Sequence, residues 1–64
     1  MSKEKTVLSE KMVDFRTKHS ITQEKLAELI GVTRYTVWRI ENGYEYKSTT
    51  ERKFLQLEKS YKGA

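Results

Sequence analysis

The chain contains no cysteine and only one histidine in 64 residues. Without thiols there is no disulfide framework, structural zinc site or sulfur nucleophile, and the composition suits a reducing compartment. His19 has no second nitrogen or sulfur ligand with which to share a metal, so it reads as a surface residue at a helix end, and no metal or other cofactor is expected. No apolar run approaches the roughly 20 residues of a membrane span, and the amino terminus lacks the apolar stretch of a signal peptide. Paired carboxylates, a nucleophile with a base beside it and clusters of metal ligands are also missing, which argues against an enzyme. These absences lead to the expectation of a soluble, cytoplasmic protein with no membrane partner.

What remains is a small basic helix former. With 36% hydrophobic residues, 64 residues can bury one modest core, so a single all-α domain over residues 1–64 is expected. Thirteen basic against nine acidic side chains give a net charge of +4, which suits a polyanionic partner without identifying one.

The organising stretch is Gln23 to Gly43, QEKLAELIGVTRYTVWRIENG. Leu26, Leu29 and Ile30 repeat at helical spacing, Gly31 interrupts, and Val37 and Ile40 resume the pattern, which outlines two short helices joined by a tight turn. Ala27 is small enough for a second helix to cross closely, and Gly31 can take a positive φ. Val32 then tucks inward from the turn. Thr22 and Thr33 are suitable N-caps, although Lys25 stands where a full capping box would need an acid. With Val37 and Ile40 inward, Tyr35, Trp38, Arg39 and Asn42 face outward and Arg34 lies at the edge. A solvated face normally carries Lys, Glu, Gln and Ser. Two large aromatics and two guanidinium groups are instead the residue types favoured at binding hot spots and at base edges.

Ahead of this stretch, residues 1–5 read as a flexible arm whose Lys3 and Lys5 either fray or supplement phosphate contacts. From about 6 to 18, Leu8, Met12 and Phe15 form one helical stripe, with Val7 and Val13 off it and exposed in a monomer. Arg16 and Glu41 occupy facing flanks of their helices; spacing alone leaves open whether they pair or are independent surface charges. Ile21 can act as an apolar lid ahead of Thr22. Gln23 opens its helix, where a backbone amide suits a phosphate, though it is equally a plain helix former. After Gly43, residues 44–47 (YEYK) read as a linker. Ser48-Thr49-Thr50-Glu51 then matches a capping box for a last helix over 49–61, with Phe54, Leu57 and Tyr61 on one face and Leu55 partly beside them. Arg52, Lys53 and Lys59 line its outer side, and Gly63 ends it.

These residues resemble the DNA-binding domain of phage Cro and lambda-type repressors and of bacterial XRE regulators. That family pattern reads like L-T-Q-E-x-L-A-x-x-x-G-V-S-x-x-x-I-S-x-x-E-x-G. Here Ile21-Thr22-Gln23-Glu24, Leu26-Ala27, Gly31-Val32-Thr33, Val37, Ile40-Glu41 and Gly43 fall in register, and Leu8, Met12, Phe15 and Arg16 extend the match forward. The resemblance implies a small four-helix, lambda-repressor-like fold with a helix-turn-helix at 22–43 and a recognition helix at 34–42. It implies base contacts from Arg34, Tyr35, Trp38 and Arg39, phosphate contacts from Gln23, Thr33 and Asn42, and a structural bridge between Arg16 and Glu41. Lys47, a basic residue just beyond the motif, joins the phosphate set. Family members usually continue with a proline-containing segment and a small apolar dimer contact; this chain has no proline. A homodimer through the last helix, one through Val7 and Val13, assembly only on DNA and pairing with another regulator therefore all stay open.

The expected function is that of a Cro-like, sequence-specific regulator acting on a duplex operator. The alternative is a protein-interaction module, a co-repressor or antirepressor, that turns the Trp38 and Tyr35 face to a protein partner.

Overall fold

A computed structural model describes residues 7–61. The arm at 1–5 and the terminating role assigned to Gly63 lie outside the described residues. Four helices follow one another: α1 (Val7–His19), α2 (Gln23–Ile30), α3 (Arg34–Glu41) and α4 (Ser48–Ser60). No strand occurs among the described residues. α3 packs on α1 and α2, and α4 closes the other side against the same two helices.

The core follows from the helical spacing of apolar residues. Leu8, Met12 and Phe15 from α1, Leu26, Ala27 and Ile30 from α2, Val37 and Ile40 from α3, and Phe54 from α4 form one buried cluster, with Ile21, Val32, Tyr46, Leu57 and Tyr61 partly buried against it. Phe15 meets Phe54 edge-on at 5.6 Å, which joins α1 to α4. Leu29 is only half-buried, and Leu55 is 38% exposed. Val7 is exposed as expected, whereas Val13 is half-buried.

The ends of the first three helices share one device. Each closes with an amide reaching back five residues: Ile21 N–H to the Arg16 carbonyl at 3.0 Å, Val32 N–H to Ala27 at 2.9 Å, and Tyr44 N–H to Arg39 at 2.9 Å. This closure needs a left-handed residue just before the donor, and Ser20 (φ 55°), Gly31 (φ 92°) and Gly43 (φ 87°) supply it. Ser20 is the one non-glycine residue at positive φ among those described. At the N-termini, Thr22 Oγ1 accepts from the Lys25 amide at 3.0 Å and Thr33 Oγ1 from the Thr36 amide at 3.2 Å.

Four local expectations are corrected. The recognition helix ends at Glu41 rather than at residue 42, because Asn42 is its C-cap and donates its side-chain amide to the Trp38 carbonyl at 2.8 Å. The capping box at Ser48 does not form: Ser48 lies inside α4, and the N-cap is Lys47, which makes no side-chain cap bond. Burial of Thr50 and Phe54 sets the register of α4, and that outweighs a cap worth about 1 kcal/mol. The last helix accordingly starts at Ser48 and ends at Ser60, with Tyr61 as its C-cap. His19 is half-buried rather than a surface residue, its ring 4.5 Å from Phe15 and 4.7 Å from Tyr61, so it extends the aromatic contact between α1 and α4.

The two turns allow a paired test of backbone strain. A Cβ at Gly31 would meet nothing within 4 Å, so Gly31→Ala should cost about 1 kcal/mol from its positive φ alone. Ser20→Gly relieves the same strain and should be neutral or stabilising by up to about 1 kcal/mol. Urea melts of both variants check the opposite signs.

Candidate nucleic-acid interface

α3 is only two turns long, so its orientation is set from behind. Its inward face is Val37, Ile40 and Glu41. The Glu41 carboxylate, 5% exposed, takes a two-pronged bond from Arg16, Nε to Oε2 at 2.7 Å and Nη2 to Oε1 at 2.9 Å. Gln23 Nε2 adds a third bond to Oε1 at 3.0 Å, and Arg16 Nη1 also reaches the Ile21 carbonyl at 3.4 Å. The hydrogen bonds that Arg16 donates to Glu41 hold its pKa above the ordinary value against the opposing effect of burial. One buried carboxylate thus ties α1, the start of α2 and the end of α3 together. Of the two readings that spacing left open for Arg16 and Glu41, the paired one is what the fold contains.

On the opposite face, Tyr35 is 66% and Trp38 42% exposed. Their rings stack with centroids 5.9 Å apart and planes 13° from parallel. Tyr44 stacks on Trp38 as well, at 5.8 Å and 23°. The Arg39 guanidinium lies 6.0 Å from the Tyr35 ring and 5.8 Å from that of Tyr44, within reach of cation–π attraction. Each tyrosine therefore neighbours both Trp38 and Arg39. Tyr44 reaches this place because its amide closes α3 onto the Arg39 carbonyl, which sets its side chain back over the last turn.

Two concavities flank this ridge. Arg34, Tyr35 and Trp38 line the smaller one. The other brings Thr33, Arg39 and Lys47 together with Val32, Thr36, Glu45, Tyr46 and Thr50. The residues singled out in sequence thus divide into two groups around α3. Gln23 stands apart, half-buried at the Glu41 bridge with its amide oriented by that carboxylate. Asn42 is occupied as the C-cap of α3, at the negative end of the helix dipole. Thr33 bonds the Thr36 hydroxyl at 3.0 Å besides capping the helix.

Tyr44, Thr36 and Tyr46 lie beside this set without having been singled out in the sequence. Thr36 carries a signal, since it stands three residues after the N-cap Thr33. Tyr44 carries none in the helical period, because Gly43 turns the chain before it.

Residues 14–62, more than half of the chain, match the helix-turn-helix family HTH_3. The chain belongs to this family. It is of the Cro and lambda-repressor type, the XRE regulators, whose members are DNA-binding transcription regulators rather than enzymes. No curated protein and no solved structure gives a significant match. No helix among the described residues is long and apolar enough to cross a membrane.

Two variants check the two faces of α3. Glu41→Ala should lower stability by about 2 to 3 kcal/mol, somewhat below a fully buried pair because the Arg16 side chain is 24% exposed. At roughly 4 to 8 °C per kcal/mol for a domain of this size, the melting temperature should fall by about 10 to 20 °C. Tyr44→Ala should cost at most about 1 kcal/mol while making Trp38, the one tryptophan, more accessible to acrylamide; unchanged quenching would show that Tyr44 does not cover it in solution.

Proposed function

We propose that the chain is a Cro-like, sequence-specific repressor, which places α3 in the major groove of a duplex operator and acts by occupying it. The observation behind this reading is the outer face of α3, where Arg34 and Arg39 stand among exposed aromatics on a helix braced from behind by Glu41. A guanidinium fork matches the O6 and N7 acceptors of guanine, so Arg34 and Arg39 are the base readers, with Tyr35 and Trp38 in apolar contact beside them. Thr33 and Lys47 flank Arg39 in one groove and take phosphates. Gln23 presents its backbone amide to a phosphate at the start of α2, where the helix dipole favours an anion.

One module of this size grips few phosphates, so specific occupancy uses two copies on a palindrome or a second regulator beside it. The same exposed rings favour one rival reading, an anchor for a protein partner.

Selection of bound sites from a random duplex pool at near-physiological salt separates the two. An enriched palindrome with half-sites about one helical turn, ~34 Å, apart supports the repressor reading; no enrichment by folded protein favours the protein partner. On the selected site, Arg39→Ala and Arg34→Ala should each lose about 1 to 3 kcal/mol of binding and relax preference at one base pair. Equal losses on selected and random duplexes, measured by anisotropy titration, would reduce both residues to phosphate contacts.

A further inference from the structure

The rings beside the two base-reading arginines number three, not two. Tyr35, Trp38 and Tyr44 form a continuous stack on the outer side of α3, and one of the three, Tyr44, lies beyond the end of that helix. Unpaired bases bind by stacking on ring faces, but Trp38 already shares its stacking surface with both tyrosines. In a duplex, the apolar group that the major groove offers is the C5-methyl of thymine. Arg39, beside both tyrosine rings, has its guanidinium oriented by them and its N–H donors left for a base edge.

Resting on the operator-binding reading above, we propose that Tyr35, Trp38 and Tyr44 form one ridge that reads the 5-methyl groups of thymines adjacent to a guanine held by Arg39. Tyr44 is then a specificity-determining residue outside the recognition helix. Its backbone bond to Arg39 makes its position part of the helix end, so the third ring is in place before DNA arrives and its ordering is not charged to binding. Arg39 and Tyr44 act as a unit: the ring limits where the guanidinium can point, and that fixes which base pair lies beside the methyl contact.

The test uses the full chain and the duplex enriched from the random pool. Each thymine is replaced in turn by deoxyuridine, which removes the methyl and leaves pairing and the O4 acceptor intact. The expected result is a loss of about fourfold in affinity for each contacted methyl, the value of one buried carbon, at thymines neighbouring the guanine whose recognition Arg39→Ala abolishes. Tyr44→Ala should erase the uridine effect at one of these thymines and not at the others, while Tyr44→Phe retains it. A ring that merely supported the fold would not give a loss confined to one methyl. Full affinity for every uridine duplex, with the parent site still bound specifically, overturns methyl reading and leaves operator binding standing. Failure to enrich any duplex overturns the operator reading and this proposal with it. The uridine series on the unaltered protein is decisive even where Tyr44→Ala does not fold.

Discussion

A carboxylate withdrawn from water is tolerated only where its oxygens find donors, and Glu41 finds three, two on Arg16 and one on Gln23. Those donors come from α1 and from the first residue of α2, so the end of α3 is held by two other helices at once. Val37 and Ile40 give this eight-residue helix apolar contacts that carry no direction of their own; a planar two-pronged bond adds direction. Directional bonds thus join the turn at Gly31 and the packing on α1 and α2 in orienting α3.

This division of labour explains how the outer face can be so unlike an ordinary surface. α3 draws its stability from Val37, Ile40 and Glu41 inside and from the caps at Thr33 and Asn42 at its ends. None of these depends on the side chains of Arg34, Tyr35, Trp38 or Arg39, since the Asn42 cap uses main-chain carbonyls. The outward residues are thus released from stabilising the helix and can be large, aromatic and charged. Their mutual contacts are surface contacts, worth about 0.5 to 1.5 kcal/mol each at most, enough to bias side-chain orientation without fixing the backbone.

Much of this organisation was readable in advance because it is local. The stripes of α1 and α2, the caps at Thr22 and Thr33 and the turn at Gly31 depend on neighbours within about one helical turn. The Arg16 to Glu41 bond spans 25 residues, so spacing alone left it open, and the resemblance to repressor domains raised the pairing. Ser48 misled for the opposite reason: a sound local signal lost to the docking of Thr50 and Phe54. Ser20 hid because serine carries no mark of a left-handed backbone. His19 and Tyr61 are 42 residues apart in sequence and meet only once α4 has folded back on α1. Among the candidate contacts, the outward set was legible from the helical period, and the placement of Tyr44 was not, since it arises from how α3 ends.

Ile21, Val32 and Tyr44 hold the same station, each donating the amide that closes the preceding helix. Two of them turn inward to the core and the third joins the exposed rings. The closing bond at position 44 is made by main-chain atoms, while its side chain stacks on Trp38 and lies beside Arg39. Helix closure and side-chain chemistry are therefore carried by different atoms of one residue, at the edge of the outer face of α3.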